Sequence, residues 1–273
     1  AFSTSPSLNK SLAGRMADHQ ASVWINPAET QAAIASGTGR GVRIAVLDSG
    51  IDSSHPRLDG IHLSDNLCVK AEGGIISIHE GEGDDVFGHG TAVAGILHSI
   101  APEAQIGNFR VLGAFKEARA SVIRAGARLA IERGYDILNC SFGCPGRAEF
   151  VMGFKSWIDE AYTSGVHVVA ACNNQDYSIA EWPAHFPSAL SVTRACGGPE
   201  QLYFQSGDLV EFGALGEESQ AAWLDGSTRS VIGSSFSAPR VSGLLARLLS
   251  GHPGLPPLLA KSALRAVAAP WPA

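Results

Sequence analysis

Runs of apolar residues alternate with segments of helical periodicity over most of the chain. The apolar runs that predict buried strands cover residues 43–47, 105–112, 136–141 and 166–171. The segments that predict helices run from residue 89 to about residue 99, from a cap at Ser121 to Gly134, and from residue 150 to Gly165. The last strand is continuously apolar, which is typical of a parallel strand covered on both faces. The alternation predicts an α/β fold, with a doubly wound, mostly parallel sheet flanked by helices.

A single domain accounts for most of the chain. The sequence has 273 residues, enough to bury the core of one α/β domain, and it contains no internal repeat or low-complexity tract. Residues 1–40 are polar and rich in small residues. We expect them to form an N-terminal arm packed on the domain that residues 41–273 form.

Composition narrows the class of partner. Hydrophobic residues make up 45% of the sequence and charged residues 17%, as in a folded enzyme rather than a disordered chain. The net charge is −6 and there is no block of Lys or Arg, so no nucleic-acid partner is expected. No apolar run approaches the ~20 residues that span a bilayer, so no membrane partner is expected either.

The cysteines and the first residues bear on localisation. Cysteine occurs five times, an odd number that argues against a complete disulfide framework, and no CxxC pair indicates zinc; the residues are Cys68, Cys140, Cys144, Cys172 and Cys196. The N-terminus lacks the basic start and apolar stretch of a secretory signal. It also lacks an initiator Met, so we expect a chain that is processed or excised from a longer one. These features favour a cytoplasmic location, with free and mostly buried thiols.

Three segments carry candidate chemistry: residues 46–52 (VLDSGID), 88–95 (GHGTAVAG) and 233–239 (GSSFSAP). Taken one at a time, each has an ordinary structural explanation. An Asp after a strand forms turns, a Gly-flanked His starts a tight helix, and paired serines cap a helix. Asp48, however, also falls at the predicted carboxyl end of a parallel strand, which is where ligands of such sheets bind.

Together and in this order, the three segments resemble the signature segments of the subtilase family, the subtilisin-like serine proteases of peptidase family S8. The resemblance covers roughly residues 40–268. It implies the subtilisin-like fold and a catalytic triad of Asp48, His89 and Ser235. Ser237 is a second candidate for the nucleophile, although it falls on an alanine of the family pattern.

The implied triad satisfies the chemistry of peptide-bond hydrolysis. A serine hydroxyl is too weak an acid to attack a carbonyl without a neighbouring base. His89 would accept the proton of Ser235 and pass it to the leaving amine. Asp48 would hold the imidazole in the required tautomer and stabilise its cation. The resemblance therefore implies a serine endopeptidase that needs no cofactor.

Two further stretches resemble substrate-binding parts of the family. Residues 168–173 resemble the strand that delivers the asparagine of the oxyanion hole, which implies that role for Asn173 beside the backbone N–H of Ser235. A turn residue at Asn173 or Asn174 is the alternative. Residues 110–113 and 139–143 resemble the two strands that bind extended substrate by β-augmentation, which implies contacts from Gly113, Ser141, Phe142 and Gly143.

Two glutamates bear on specificity. Residues 181–187 resemble the segment that forms the base and wall of the S1 pocket, and Glu181 falls where many relatives carry Gly. A carboxylate there would favour Lys or Arg at P1, the residue whose carbonyl is attacked. Glu117, which follows Gly113, would add negative charge near the S2–S4 subsites. In the alternative interpretation, both side chains point to water.

Departures from the family pattern concern calcium, two cysteines and an insertion. Arg57 stands where secreted subtilisins have a calcium-ligating Asp, and the calcium loop that interrupts the catalytic-His helix is absent, so we expect the strong calcium site to be missing. Cys144 and Cys172 replace glycines near the cleft, either as core fillers or as redox-sensitive thiols. The extra residues at about 63–85 are expected to form a surface flap near the cleft.

Three functions are compatible with these residues. The first is an active endopeptidase on peptide or protein substrates, with a propeptide or flanking domains outside this chain. The second is a specialised maturation protease of the cyanobactin type that acts on precursor peptides, although residues 63–85 are shorter than the helical insertion of the family's macrocyclases. The third is a non-catalytic subtilase fold used for binding, against which an intact Asp48, His89, Ser235 and Asn173 argue.

Overall fold

A ten-stranded sheet runs through the computed structural model, which describes residues 25–59 and 61–271. The strands are β1 (Arg43–Asp48), β2 (Leu63–Glu72), β3 (Ile75–Glu80), β4 (Gln105–Arg110), β5 (Ile137–Cys140), β6 (Cys144–Pro145), β7 (His167–Ala171), β8 (Glu181–Trp182), β9 (Leu190–Ala195), β10 (Tyr203–Phe204), β11 (Phe212–Leu215), β12 (Glu217–Ala222), β13 (Thr228–Ile232) and β14 (Ala269–Pro270). The order across the main sheet is β14-β10-β11-β9-β7-β5-β1-β4-β2-β3, while β12–β13 and β6–β8 form two small sheets.

The main sheet is parallel through its centre. Every neighbouring pair from β11 to β2 is parallel, whereas β10 pairs with β11 and β3 with β2 in antiparallel fashion. Parallel neighbours need crossover connections. Helices provide them around β1, β4, β5 and β7, whereas the segments from β7 to β9 and from β9 to β11 contain no helix. This arrangement confirms the predicted α/β fold.

Helices cover both faces of the sheet. They are α1 (Pro27–Ser36), α2 (His89–Ile100), α3 (Ala120–Glu132), α4 (Ala148–Thr163), α5 (Ser234–Gly251) and α6 (Pro257–Val267). Strand β1 shows the consequence, because Ile44 and Val46 pack in the cluster with α1, α2, α5 and α6, whereas Ala45 and Leu47 pack in the cluster with α3 and α4. Burial on both faces is the reason that β1 reads as an unbroken apolar run.

The C-terminal ends of two helices lie where the sequence predicted them, whereas the predicted N-terminal cap of one helix is wrong. Gly134 and Gly165 follow α3 and α4 with φ angles of 76° and 77°, the left-handed conformation that favours glycine after a helix. The predicted cap at Ser121 is wrong, because α3 begins at Ala120 and Arg119 stands at its N-cap position without a side-chain cap. The neighbouring Arg119 carbonyl already accepts hydrogen bonds from the first turn, so Ser121 lies inside the helix.

The insertion at residues 63–85 is part of the main sheet rather than a surface flap. Strand β2 pairs in parallel with β4, and β3 closes the hairpin as the outermost strand. Arg133, which follows α3, forms ion pairs with Asp65 and Glu80 and so ties both strands of the hairpin to the body of the domain. The predicted flap is corrected on this point, because its backbone hydrogen bonds are made to the sheet.

The predicted N-terminal arm lies largely outside the described residues, which begin at residue 25. Its described part contains α1, which begins with a capping box between Asn26 and Glu29 and buries Ala33 in the core cluster with α5. Within the described ranges, no helix combines the length and the apolar content that crossing a membrane would require.

Candidate active site

The candidate residues gather at the carboxyl ends of the parallel strands. Asp48 is the last residue of β1, and His89 is the first residue of α2. A cleft of about 360 Å³ opens beside them; it is lined by His89, Leu112, Phe115, Lys116, Ser141, Phe142, Gly143, Ala171, Cys172, Asn173, Asn174, Glu181, Ser234 and Ser235. Most residues that the sequence predicted for the site therefore line one space, on the side of the sheet where ligands of such folds bind.

A buried hydrogen bond joins Asp48 and His89. The Asp48 Oδ1 atom lies 2.8 Å from His89 Nδ1, and the two residues are 0% and 4% exposed. Because an ionised carboxylate only accepts, His89 Nδ1 carries the proton and Nε2 is left to accept one. The Ser49 backbone N–H donates to the same oxygen over 2.7 Å, so the carboxylate is fixed in place.

Three serines stand at the start of α5, and only one of them offers its hydroxyl to the cleft. Ser234 Oγ donates to Cys172 O over 2.6 Å, and Ser237 Oγ donates to Ala214 O over 2.9 Å; both side chains are buried. Ser235 is partly exposed and lines the cleft together with His89. The hydrogen bond of Ser237 to the core makes it unavailable as the alternative nucleophile.

Asn174 is held beside the Ser235 hydroxyl. Its Oδ1 atom accepts a hydrogen bond of 2.7 Å from the Ser234 backbone N–H. Gly233 has a φ of 154°, and a β-carbon added there would lie 3.1 Å from Asn174 Oδ1 and 3.5 Å from Ser235 Oγ. Among the described residues, nothing accepts a hydrogen bond from Asn174 Nδ2. This amide therefore has a donor to spare next to the candidate nucleophile.

Asn173 uses its amide differently. Its Nδ2 donates to Glu181 Oε1 over 2.9 Å, while its Oδ1 accepts from Gln175 N and Asp176 N over 2.8 and 3.1 Å. The last two bonds are those of an Asx turn, which matches the alternative interpretation that the sequence left open. The side chain that the family pattern put forward for the oxyanion hole is therefore committed to a turn and to Glu181.

The carboxylate of Glu181 faces the cleft. Strand β8 pairs with β6 so that Glu181 stands opposite Pro145, and a β-carbon added at Gly143 would meet Glu181 Oε2 at 2.2 Å. Partial burial raises the pKa of Glu181, and the hydrogen bond from Asn173 and the charge of His185 oppose that rise. The structure thus brings Ser141, Phe142, Gly143 and Glu181 into the cleft, as the sequence predicted.

Glu117 is not among the residues that line the catalytic cleft. It is exposed, and its Oε2 accepts a hydrogen bond of 2.8 Å from the Phe115 backbone N–H. With Gly113 it lines a separate groove of about 610 Å³ between the β2–β3 hairpin and the segment after β4. The expectation that Glu117 adds negative charge near the S2–S4 subsites stays a prediction, and the same turn presents Lys116 to the cleft.

Asp85 is a site residue that the sequence analysis missed. Its Oδ1 accepts hydrogen bonds from Ser49 Oγ and from the backbone N–H groups of Phe87 and Gly88, over 2.8, 2.9 and 2.8 Å. Its Oδ2 accepts from the N–H and the hydroxyl of Thr91, over 2.9 and 2.6 Å. One carboxylate thus joins the residue after Asp48 to the first turn of α2. An acidic residue just ahead of a helix start was the available signal.

Burial favours the protonated thiol at Cys172, which lines the cleft, and at Cys144, which lies on β6. Burial raises the pKa of Cys172 to about 11, and it also raises the pKa of Cys144. All five cysteines are free. A thiol with a raised pKa is a poor nucleophile at neutral pH, which agrees with a packing role for both residues.

The calcium prediction stays a prediction. Arg57 is exposed in a short 3-10 turn, and α2 ends at Ile100 without an inserted loop. Across residues 25–59 and 61–271, no group of three or more His, Cys, Asp or Glu is placed to hold a metal ion. The donor set around Arg57 therefore offers a hard cation no obvious carboxylate cage.

The fold and the cleft define a subtilisin-like α/β protein, and comparison with known proteins agrees. The model of the Subtilase family matches residues 39–269, so the chain belongs to this family. A crystal structure of a cold-adapted subtilisin-like serine proteinase shares the fold, with a TM-score of 0.67 at 24% identity over 84% of this chain and 83% of that one.

Two curated relatives are subtilisins. Subtilisin of Bacillus pumilus is 30% identical over 230 residues, which make up 79% of this chain and 79% of that protein. Subtilisin E of Bacillus subtilis (strain 168) is also 30% identical over 230 residues, but these cover 57% of its length. The chain therefore spans little more than half the length of several of the relatives that it matches.

Proposed function

We propose that the protein is a serine endopeptidase that hydrolyses peptide bonds through Asp48, His89 and Ser235. The observation that carries the proposal is the buried 2.8 Å hydrogen bond between Asp48 and His89, in a cleft where Ser235 alone of three serines keeps its hydroxyl free. Membership of the subtilase family supports the same reaction.

The reaction follows from the roles of these atoms. Ser235 Oγ attacks the scissile carbonyl carbon, and its proton moves to His89 Nε2. The tetrahedral intermediate then expels the amine, which takes that proton from the imidazolium and leaves an acyl-enzyme ester on Ser235. Water repeats the two steps and releases the acid. Asp48 holds Nδ1–H throughout and stabilises the cation.

We assign the oxyanion donor to Asn174 rather than to Asn173, together with the backbone N–H of Ser235. The spare Nδ2 of Asn174, next to Ser235, supports this assignment, as does the engagement of Asn173 with Glu181. A preorganised donor of this kind stabilises the charge that develops on the carbonyl oxygen.

We propose that Glu181 favours Lys or Arg at P1. Its carboxylate lies against Gly143 on the cleft wall and is half-buried, so an apolar P1 side chain would leave it without a cationic partner. A peptide or protein substrate with a basic residue before the scissile bond is the ligand class that this pocket fits. The action on precursor peptides, and any propeptide or flanking domain, are compatible with this chemistry.

The cysteines support a proposal on localisation. All five are free in the fold, and the four at residues 68, 140, 144 and 172 are buried or partly buried. A reducing compartment such as the cytoplasm suits a protein with unpaired thiols.

Labelling by a fluorophosphonate probe tests the nucleophile. The wild-type protein should label and cleave a peptide library, and Ser235→Ala should do neither while keeping its circular dichroism spectrum. Ser237→Ala is the matched control, because that hydroxyl donates to the core; it should label normally and lose about 1 kcal/mol of stability. Labelling that survives in Ser235→Ala would refute the assignment.

A further inference from the structure

A tight turn presents Lys116 to the catalytic cleft. The turn is closed by hydrogen bonds from Lys116 N to Gly113 O, over 3.0 Å, and from Gly113 N to Glu117 O, over 2.9 Å. Lys116 has a φ of 60°, the left-handed conformation that residues other than glycine rarely adopt. The surrounding fold stabilises this unfavourable backbone conformation, and as a result Lys116 lines the cleft.

The same turn separates the two charges at its tip. Glu117 turns back and accepts the Phe115 backbone N–H on the side of the neighbouring groove. Lys116 lines the cleft, in the same space as His89 and Glu181. The segment after Gly113 therefore adds positive charge to the cleft.

The ammonium group of Lys116 is available to a ligand. Its Nζ lies 5.2 Å from the centroid of the Phe87 ring, within the range of a cation–π contact. No carboxylate in the described part of the chain pairs with it. Phe87 stands two residues before His89, and Lys116 lines the same cleft as His89. The contact with the ring leaves the charge of the cation uncompensated.

The geometry of an extended peptide indicates which substrate side chain Lys116 would contact. Successive side chains of an extended chain point to opposite sides. If the P1 side chain enters the pocket of Glu181, the P2 side chain before it points away from Glu181, and the rest of the cleft lining includes Leu112 and Lys116.

We propose that Lys116 selects an acidic residue at P2, so that the enzyme prefers to cleave after an acidic–basic pair. This inference rests on the proposed endopeptidase function and on the direction of P1. Two walls of opposite charge also set the register of the substrate, because a peptide shifted by one residue would bring like charges together. The preference should weaken at high salt, since Lys116 is exposed to solvent.

Paired peptides that differ only at P2 test the proposal. Peptides with Glu, Gln or Lys at P2 are made with Arg and with Leu at P1, and kcat/KM is measured for each. For wild type, we expect Glu over Gln at P2 by about two- to fivefold, the range of a solvent-exposed ion pair. Lys116→Gln should bring this ratio close to one, and Lys116→Glu should reverse it in favour of Lys at P2.

A matched variant controls for net charge. Lys155→Gln removes a positive charge from α4, outside the cleft, where Lys155 pairs with Asp159 over 2.6 Å. It should leave the P2 ratio at the wild-type value. A wild-type ratio near one, a ratio that does not respond to Lys116→Glu, or an acidic preference that appears at P1′ rather than at P2 would each overturn the proposal.

Binding separates this inference from the proposed function. Fluorescence anisotropy of the same peptides with Ser235→Ala gives Kd values without turnover. If the Kd ratio changes with the charge at residue 116 but the wild-type protein cleaves no peptide, the P2 selectivity stands and the proposed endopeptidase function is refuted. If the peptides are cleaved but the P2 charge changes neither kcat/KM nor Kd, the endopeptidase function stands and the P2 selectivity is refuted.

Discussion

Asn173 Nδ2 donates a hydrogen bond of 2.9 Å to Glu181 Oε1, and this bond joins the turn after β7 to the carboxylate in the cleft. It stabilises the ionised form of Glu181 against the burial that raises its pKa. It also occupies the amide of Asn173 and leaves the neighbouring Asn174 to face Ser235. The two adjacent asparagines therefore have separate partners, which supports the separate roles that we propose for them.

Substitution of the two asparagines should give different kinetic defects. Asn174→Ala should lower kcat by about 10²–10³ with little change in KM, the loss seen when the oxyanion amide of subtilisin itself is removed. Asn173→Ala should keep most of kcat on a P1-Leu peptide. Fluorophosphonate labelling and steady-state kinetics on both variants check this, and a full loss of kcat in Asn173→Ala alone would reverse the assignment.

Glu181→Gln should change the P1 preference. We expect kcat/KM for a P1-Arg peptide to fall by about tenfold or more, equivalent to about 1.4 kcal/mol, because the cationic side chain loses its carboxylate. A P1-Leu peptide should be cleaved as well as before or better. Glu117→Gln is the matched control and should leave both values unchanged, since its carboxylate lies outside the cleft. A wild-type preference for P1 Leu would contradict the role of Glu181.

The P1 preference should also depend on pH. Glu181 binds a cation only when ionised, and burial raises its pKa, so the ratio of kcat/KM for P1-Arg over P1-Leu should fall as the pH drops through that raised pKa. The ratio cancels the titration of groups common to both substrates. Asn173→Ala removes a hydrogen bond that favours the ionised form, so it should move the midpoint to higher pH. An unchanged midpoint would exclude this coupling.

Chelation should have little effect on stability or activity. The family resemblance implies that Arg57 replaces a calcium ligand, and α2 continues to Ile100 without an inserted loop. The melting temperature and the peptidase rate measured with EGTA should match those measured with EGTA that has been saturated with calcium. A large fall in melting temperature that added calcium restores would reveal a cation site.

Acid should destabilise the fold through His167. This residue is 2% exposed; Nε2 bonds to Leu255 O over 3.1 Å, while Nδ1 has no partner among the described residues. Burial lowers the pKa of His167 from 6.5 to about 4. Between pH 6.5 and pH 4, His167 is protonated in the unfolded chain but stays neutral in the folded chain. The free energy of unfolding therefore falls as the pH drops, by about 3 kcal/mol in all.

Urea unfolding at pH 7 and pH 4 measures this loss, in the Ser235→Ala background to prevent autolysis. His167→Gln should lose about 3 kcal/mol less than the parent between the two pH values. His62→Gln, on an exposed histidine, should behave as the parent does. Equal acid sensitivity in the parent and in His167→Gln would refute the role of His167.

The sequence by itself determined the fold class and the family, and it predicted the reacting residues. Apolar runs such as residues 166–171 reflect burial on both faces, a local consequence of the parallel sheet, and they could be read without coordinates. The segments around Asp48, His89 and Ser235 carried the family resemblance because their chemistry tolerates few substitutions in type or spacing.

Tertiary structure decided what each of two neighbouring residues contacts. Beyond the end of β7 the side chains no longer alternate regularly, so the choice between Asn173 and Asn174 depends on partners distant in sequence, Glu181 and Ser234. At residues 116 and 117, the left-handed turn sends Lys116 to the cleft and Glu117 away from it. The insertion likewise became two sheet strands because β4 offered backbone hydrogen bonds to β2. Such contacts join segments that are distant in sequence, so the local pattern of residues does not predict them.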